Sequence, residues 1–469
     1  MVGREYEKRL FLAKLNSQKS EFIAVYGRRR VGKTYLIRSV LQHHFVFQLT
    51  GLAKASLKEQ LVNFELAKKE QHPIVSLEPP TSWLEAFTQL KQFVLTSNQP
   101  KKVIFIDELP WLDTPRSGFL TALEHFWNSW ASARKDVVLV VCGSAASWMI
   151  HQLINNKGGL HNRITLKIKL NPFTLKECKE MMLANKIRLD NYQLLQLYMC
   201  LGGIPFYWEA IEKGQSATQT IQQLCFDQNG LLRNEYANLF KSLFDKSEKH
   251  EKIVDALAQK AQGLSRDEIQ QATGISNGGG FTRVLDELEE SGFIRKYAPF
   301  QRKSRESHYQ LSDFFTLFHL RFMSGNTADN ENYWLTKIDH PAYRTWSGYA
   351  FEQVCLAHTD LLKKALGISG VDTTVSAWRS KQRENGAQID LVIDRRDHVI
   401  TICEMKFSIN PFTIDKAYDA NLRNKIGLFK SETGTSKAVF LTMITTYGLV
   451  ENEYAGNVTN SIDMQSLFV

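Results

Sequence analysis

A chain of 469 residues is too long for one ordinary hydrophobic core, and at about 150 residues per domain it predicts roughly three domains. Its 43% hydrophobic content excludes a globally disordered chain, and no apolar run approaches the ~20 residues that span a bilayer. The net charge of +9 favours an anionic partner.

The cysteines and the first residues indicate the compartment. Six cysteines are scattered without a CxxC pair, which argues against a disulfide framework or a zinc site. The opening segment, MVGREYEKRLFLAKL, lacks the apolar core and cleavage site of a signal peptide. The sequence therefore predicts a cytoplasmic protein that makes no membrane contact.

A phosphate-binding loop is predicted in the segment FIAVYGRRRVGKTYLIRSV, which reads as strand, loop and helix. Gly27 to Thr34 match GxxxxGK[ST], in which backbone N–H groups and the helix N-terminus face phosphate oxygens. Lys33 is expected to reach the β- and γ-phosphates, and the Thr34 hydroxyl to hold Mg²⁺. The alternative is a chance glycine loop. The predicted nucleotide contacts here are Gly27, Arg28, Arg29, Arg30, Val31, Gly32, Lys33, Thr34 and Tyr35.

Two later strands end in polar residues suited to ATP hydrolysis. In the segment KKVIFIDELPW the apolar strand ends in Asp107 and Glu108. Asp107 is a predicted Mg²⁺ contact, and Glu108 is a predicted base that orients the attacking water. In the segment DVVLVVCGSAASWM the strand ends in Ser144, which is placed to sense the γ-phosphate or the attacking water. Arg163 precedes a further strand and is either a finger that acts on a neighbouring subunit's nucleotide in a ring, or an ordinary surface arginine.

These segments, with VGRE at 2–5, LNPF and GGIPFYW, resemble bacterial and archaeal AAA-type ATPases close to the STAND-like lineage. The resemblance covers about residues 1–210. It implies ATP and Mg²⁺ as cofactors and a homo-oligomer, for which a ring is one arrangement. It also implies that VGRE and the GxP of a lid, here Gly203 and Pro205, flank the adenine.

Residues 244–325 follow a helical stretch and have the layout of a winged helix-turn-helix. Ile253, Leu257 and Ala261 mark a first helix, Ser265 and Glu268 cap a second, and FTRVLDELEESGFI is the third. Two strands around a basic loop follow. The module is expected either to place its third helix in a DNA groove or to contact protein, since that helix is acidic. The expected phosphate contacts are Arg295, Lys296, Arg302, Lys303 and Arg305.

The last part of the chain carries charges inside a buried-looking strand. The strand VITICEMKFS bears Glu404 and Lys406, and it forms a predicted hairpin with a strand that bears Asp390. A preceding amphipathic helix carries Glu352 on its inner side. Converging carboxylates suit Mg²⁺, and a nearby lysine suits phosphodiester cleavage.

This order of helix acid, strand acid and ExK resembles the PD-(D/E)xK nuclease superfamily. The resemblance makes Asp390, Glu404 and Lys406 catalytic and Glu352, Asp390 and Glu404 metal ligands. The alternative is a salt-bridged Glu–Lys pair on an edge strand.

The predicted fold is α/β: a P-loop AAA-type core (1–170), a helical lid (171–243), a winged helix (244–325) and a restriction-endonuclease-like α/β domain (326–469). We expect an ATPase that controls a Mg²⁺-dependent nuclease acting on DNA. The alternative is a non-cleaving, ATP-dependent regulator or scaffold whose nuclease-like fold only binds nucleic acid or a partner.

Overall fold

The computed structural model describes residues 2–71, 78–155, 158–244, 246–302, 306–325, 332–337, 340–382 and 386–469. The chain divides into two compact units, Met1–Pro172 and Phe173–Val469. In the described part of the chain, none of the helices combines the length and the apolar character that crossing a lipid bilayer requires.

The first unit is built on a parallel five-stranded sheet. Its strands are β1 (Glu21–Tyr26), β2 (Phe45–Thr50), β3 (Lys102–Asp107), β4 (Val137–Gly143) and β5 (Leu166–Lys169). They lie in the order β2-β3-β4-β1-β5. Every residue of β4 is buried, as expected for a parallel sheet covered on both faces. The predicted α/β P-loop core is confirmed.

Helices and an aromatic core hold the carboxyl ends of β1, β3 and β4 in place. The helices are α1 (Glu5–Leu15), α2 (Lys33–Leu41), α3 (Leu57–Gln71), α4 (Trp83–Leu95), α5 (Phe119–Ser129) and α6 (Ala146–Trp148). Trp83 and Phe119 pack edge to face with their ring centroids 4.9 Å apart, and Phe47 and Phe126 are buried in the same cluster. Such packing fixes the sheet that presents the site residues.

The second unit begins with helices over the stretch predicted to be helical. They are α7 (Leu175–Ala184), α8 (Asn191–Leu201), α9 (Pro205–Glu209), α10 (Ala217–Ile221) and α11 (Glu235–Leu243). Thr174 and Glu177 form a capping box at the start of α7. Pro205 is the first residue of α9, a position where a proline ring costs the helix no hydrogen bond.

Three helices and a small sheet follow. The helices are α12 (Glu248–Ala258), α13 (Arg266–Thr273) and α14 (Gly279–Glu290), and the strands are β6 (Leu264–Ser265), β7 (Ile294–Tyr297) and β8 (His308–Leu311). The sheet is antiparallel in the order β6-β8-β7. The predicted Ser265–Glu268 capping box is confirmed. The first helix ends at Ala258 rather than reaching Ala261, and α14 ends before Gly292, whose φ of 75° breaks the helix.

The last part of the chain forms a second five-stranded sheet with helices. In chain order the helices are α15 (Phe314–Phe318), α16 (Pro341–Ala357), α17 (Thr359–Ala365) and α18 (Lys416–Thr433). The strands are β9 (Thr373–Arg379), β10 (Gln388–Arg395), β11 (Val399–Lys406), β12 (Ala438–Thr445) and β13 (Asn460–Asp463).

The order β13-β12-β11-β10-β9 makes β11 the central strand. The pair β10–β11 is antiparallel, as the predicted hairpin requires, whereas β11–β12 is parallel. The alternative that placed the Glu404–Lys406 pair on an edge strand is wrong in this respect, because β11 has a partner on each side.

Candidate active sites

The loop between β1 and α2 has the backbone of a phosphate cradle. Gly27 has a φ of 141°, and a Cβ there would lie 2.4 Å from the Leu170 carbonyl oxygen, so only glycine fits. Arg30 and Gly32 also have positive φ angles, of 69° and 87°. The backbone therefore curls directly before Lys33, the first residue of α2, and brings the positive end of that helix to the loop.

Lys33 lies inside this cradle. Its Nζ donates to the carbonyl oxygens of Gly27, at 3.0 Å, and of Arg28, at 2.9 Å. Burial lowers the pKa of the Lys33 ammonium, while the carboxylates of Glu108 and Asp107 act in the opposite direction. A phosphate offers stronger acceptors than these carbonyls, so Lys33 is placed to exchange them for phosphate oxygens.

Thr34 and Asp107 are brought together as the sequence predicted. The Thr34 hydroxyl donates to Asp107 Oδ2 at 2.7 Å, and Asp107 Oδ1 accepts from the Glu108 N–H at 2.9 Å. A hydroxyl and a carboxylate side by side form the hard-oxygen set that Mg²⁺ prefers, so these two residues fit the ion that an ATPase uses. When bound, that ion neutralises charge on the β- and γ-phosphates.

Glu108 and Ser144 also meet. Ser144 donates to the Glu108 carboxylate through its hydroxyl, at 2.8 Å, and through its backbone N–H, at 3.2 Å. Glu108 itself has a φ of 46°, in the left-handed region that non-glycine residues seldom occupy. The carboxylate that we expect to orient water is thus held beside the tip of β4 by the residue expected to sense the γ-phosphate.

The other predicted contacts differ in exposure. Arg28 and Val31 are buried in the loop, Arg29 is exposed, and Tyr35 is 62% exposed on α2. Arg163 is exposed in the turn before β5, where its side chain makes no ion pair with any described residue. Pro205 belongs to the second unit. The roles of these residues stay predictions.

Arg4 is a residue that the sequence analysis passed over individually. Its guanidinium Nη2 donates to the carbonyl oxygen of Asn171 at 2.7 Å and to that of Val31, inside the phosphate loop, at 3.3 Å. It therefore ties the segment before α1 to the loop and to the end of the first unit. The only local signal was its place within VGRE.

We expect Arg4→Gln to lower the free energy of unfolding by about 1–3 kcal/mol, because two backbone carbonyls, one of them buried, lose a charged donor. ATP affinity should also fall, since Val31 belongs to the loop. Denaturant melts and nucleotide titration measure both effects. Arg9→Gln, an exposed change on the same helix α1, is the matched control. An unchanged melt for Arg4→Gln would show that these contacts do not stabilise the loop.

The carboxylates of the C-terminal sheet form one cluster with two lysines. The register of β10 against β11 pairs Leu391 with Cys403 and so sets Asp390 beside Glu404. Lys406 lies on the same side of β11, as predicted, with its Nζ 3.4 Å from Glu404 Oε1. The α16 carboxylate of Glu352 completes the cluster, because Asp390 is the leading charge that acts on it.

Two residues of α18 that the sequence analysis missed also bind Glu404. The Tyr418 hydroxyl donates to Oε1 and the Lys425 ammonium to Oε2, each at 2.7 Å. They stand seven residues apart, two turns along one face of the helix. This seven-residue spacing was the available sequence signal that both side chains lie on one face, but tyrosine and lysine are also common on solvent-exposed helices.

Burial and neighbouring charge set opposite pKa shifts within the cluster. Burial, and next the charge of Asp390, raise the pKa of Glu352 to about 8. Burial likewise raises the pKa of Asp390. Burial would raise that of Glu404 too, but the charges and hydrogen bonds of its neighbours, chiefly Lys425 and Lys406, outweigh it and lower its pKa.

The cluster partly fits a divalent cation. Glu352 and Asp390 supply the hard oxygens that Mg²⁺ prefers, and burial, followed by the charge of neighbouring carboxylates, raises the pKa of both although Lys406 and Lys425 act in the opposite direction. Glu404 is occupied by Lys425 and Tyr418. Among the residues that the structure describes, no group of three or more His, Cys, Asp or Glu side chains is arranged to hold a metal ion.

We expect Glu352→Gln to stabilise the protein increasingly as the pH rises. A carboxyl whose folded pKa is raised from 4.5 to about 8 stabilises the fold fully below pH 4.5, and this contribution is lost as the pH rises through 8. Glutamine stays neutral, so the melting temperature of the variant should exceed that of wild type more at pH 9 than at pH 5, in EDTA. Asp360→Asn, whose side chain is 99% exposed, should show no such trend. The same difference at both pH values would contradict the shift.

The basic residues of the β7–β8 region are not arranged as predicted. Arg295 is directed inward, where its guanidinium donates to Gln310 on β8 and to Gln353 on α16. Lys296 is exposed, and Arg302 pairs with Glu306 at 3.2 Å. Lys303 and Arg305 lie outside the described residues. Arg295 alternates with Lys296 along the strand, and this alternation turns its side chain to the inner face.

One similarity to known proteins concerns the first part of the chain. Residues 1–211 match the family of ATPase domains found predominantly in Archaea. This similarity supports the predicted ATPase activity of the first part of the chain.

Other similarities extend beyond residue 211. An uncharacterized protein of Methanocaldococcus jannaschii is 26% identical over 413 residues, which is 87% of each chain. Among solved structures, the Walker-type ATPase of Pyrococcus abyssi is 16% identical, with 68% of this chain and 96% of that chain covered and a TM-score of 0.48. The ORC2 protein of Aeropyrum pernix, in its ADPNP–ADP complexes, is 15% identical, with 67% and 91% covered and a TM-score of 0.43.

Proposed function

We propose that the ATPase domain binds and hydrolyses Mg·ATP and that its nucleotide state controls a metal-dependent DNA nuclease site on the C-terminal sheet. In this proposal the chain comprises a core at 1–170, a lid at 171–243, a winged helix at 244–325 and a nuclease-like domain at 326–469. The ATPase part is supported by the assembled set of Lys33, Thr34, Asp107, Glu108 and Ser144.

In the ATPase reaction each residue has a separate task. Lys33 and the loop N–H groups hold the β- and γ-phosphates, and Thr34 and Asp107 hold the ion. Glu108 orients the attacking water, and Ser144 positions the Glu108 carboxylate through its two hydrogen bonds.

The observation that carries the nuclease part is the charge cluster built from α16, β10, β11 and α18. Burial and then the charges of Asp390 and Glu404 raise the pKa of Glu352, burial and then the charge of Glu404 raise the pKa of Asp390, and Lys406 Nζ lies 3.4 Å from Glu404 Oε1. Perturbed carboxylates grouped with a lysine are typical of active sites. In phosphodiester cleavage a bound Mg²⁺ would activate water. Lys406 would stabilise negative charge on the phosphate.

A non-cleaving regulator is the second candidate, and one observation favours it. Both oxygens of Glu404 already accept short hydrogen bonds from α18, so the protein satisfies this carboxylate without a metal. Under this candidate the cluster stabilises the domain, and ATP-dependent conformational change serves to bind DNA or a partner.

The deciding experiment uses purified full-length protein with linear, circular and single-stranded DNA, in Mg²⁺ or Mn²⁺, with and without ATP. The proposal predicts metal-dependent cleavage of at least one of these substrates. Binding without cleavage under every condition would establish the non-cleaving candidate.

DNA binding by the three helices and small sheet of 244–325 is part of the proposal. The order of α12, β6, α13, α14, β7 and β8 is that of a winged helix-turn-helix. The acidic face of α14 is partly neutralised, because Glu287 is paired with His250 and Arg283 at 2.8 Å each. The exposed Lys296 and Arg302 then support contact with the DNA backbone rather than groove reading.

Homo-oligomerisation as a ring is proposed from the exposed position of Arg163 in the unit that carries the nucleotide-binding sheet. If this arginine acts on a neighbour's nucleotide, mixing Arg163→Ala with Lys33→Ala protein should restore part of the ATPase activity that each lacks alone. One subunit then supplies the phosphate loop and the other supplies the arginine. Full activity of Arg163→Ala in a monomeric protein would exclude the finger.

A further inference from the structure

A cleft of about 690 Å³ lies in the second unit between the β7–β8 strands and the C-terminal sheet, and it leads to the carboxylate cluster. Arg295 and Tyr297 of β7 line one side, and Trp378 and Arg379 of β9 line the other. Asp390, the predicted strand acid, lies in the same wall. The cleft is therefore an approach to the proposed nuclease site that the sequence motifs did not indicate.

Arg295 is a partly buried cation that forms no ion pair within 4 Å among the described residues, and Asp390 is the carboxylate that acts on its charge at longer range. Its Nε donates to Gln310 at 2.9 Å, and its Nη2 donates to Gln310 at 2.7 Å and to Gln353. Both partners are neutral amides. Its Nη1 donates no hydrogen bond to any described residue. Burial lowers the pKa of this guanidinium, which shows the cost of enclosing the charge.

Three carboxylates of the cleft have close hydrogen-bond or ion-pair partners, whereas two of its cations have no ion-pair partner within 4 Å in the described part of the chain. Glu306 pairs with Arg302, and Glu432 accepts from Ser380 at 2.5 Å and from the Lys381 N–H at 2.9 Å. Glu268 is engaged in the cap of α13. By contrast, Arg379 and Lys381 are exposed and form no ion pair within 4 Å in the described residues. Arg379 and Lys381, on which the carboxylates of Glu268 and Glu432 act only at longer range, are thus two cations of the cleft without a close anionic partner among the residues that the structure describes.

We propose that this cleft binds the backbone of an unpaired DNA strand, with Arg295 and Arg379 holding phosphates next to the one presented to Asp390. This inference rests on the proposed nuclease function and adds its substrate class. A volume of about 690 Å³ is that of a small-ligand site, which favours the narrow backbone of one strand over a whole duplex. Cations with aromatic rings, here Tyr297 and Trp378, are typical of single-strand grooves.

The test measures binding of a fluorescent oligothymidylate of about ten nucleotides to the full-length protein in EDTA, so that no cleavage is needed. Arg295→Gln and Arg379→Gln should each raise Kd about 10-fold or more, because each removes a charged hydrogen bond to phosphate. Each should also reduce the slope of log K against log salt by about 0.7. Arg396→Gln, an exposed cation at the far turn of the same sheet, should leave Kd unchanged. The same sequence as a duplex should bind more weakly.

The outcomes separate this inference from the nuclease assignment. Wild-type affinity and salt slope in Arg379→Gln, or tighter binding of the duplex, would overturn the inference even if the protein cleaves DNA. If the protein cleaves nothing but binding depends on Arg379 and Arg295, the cleft inference stands and the nuclease function fails. Arg295→Gln also removes the contact with Gln353. Its melting temperature is therefore checked first, and the exposed Arg379 decides alone if Arg295→Gln unfolds.

Discussion

Lys33→Ala is expected to abolish ATP binding and hydrolysis, lowering affinity at least about 100-fold, because the cradle loses the ammonium expected to meet the β- and γ-phosphates. The ammonium already lies within the loop, hydrogen-bonded to the carbonyls of Gly27 and Arg28. Glu108→Gln should behave differently. It should bind ATP near normally but hydrolyse it about 100- to 10,000-fold more slowly, since the base that orients water is gone.

Isothermal titration with ATP and a phosphate-release assay distinguish these two effects. Arg38→Ala is the matched control, because Arg38 is exposed on α2, the helix that begins with Lys33. The control should match wild type in both assays. Normal turnover in both Lys33→Ala and Glu108→Gln would contradict the assignment of the nucleotide site.

Asp390→Asn is expected to reduce Mg²⁺-dependent DNA cleavage at least about 100-fold while leaving ATP hydrolysis largely intact. The ATPase residues and Asp390 belong to different compact units, so each reaction has its own side chains. Lys406→Ala should lower the cleavage rate without removing metal binding, because it removes charge stabilisation rather than a ligand. Gel assays of labelled DNA measure the rate, and calorimetry with Mn²⁺ measures the metal.

The control for Asp390→Asn is Asp397→Asn, which changes a carboxylate in the turn of the same hairpin that pairs only locally with Arg395. Glu404→Ala is a less clean test, because it leaves Lys406 and Lys425 without their shared partner. Thermal melts therefore accompany every variant of the cluster. Undiminished cleavage by a folded Asp390→Asn protein would exclude this cluster as the nuclease site.

The parts of both sites that lie within short motifs were predictable from the sequence. The glycines that fix the loop at Gly27 and Gly32, and the two-residue period that puts Glu404 and Lys406 on one side, are local properties. The antiparallel partner of β11 was predictable too, because a short polar turn separates the two strands.

The contacts that were missed join residues far apart in the chain. Arg4 meets a carbonyl 167 positions away, and Arg295 meets Gln353 58 positions away. Tyr418 and Lys425 reach Glu404 only because α18 packs over the central strand, and no local pattern states which face of that helix is buried. The position of β11 at the centre of the sheet likewise depends on β12, which pairs with it from beyond α18.

Whether nucleotide state controls DNA cleavage is tested most directly by one measurement. The rate of metal-dependent cleavage is determined for wild type without nucleotide, with ADP and with ATP, and for Glu108→Gln with ATP. We expect ATP and ADP to give different cleavage rates, and we expect Glu108→Gln, held in its ATP state, to keep the ATP rate without turnover. The same cleavage rate in all four conditions, or no cleavage in any, would contradict it.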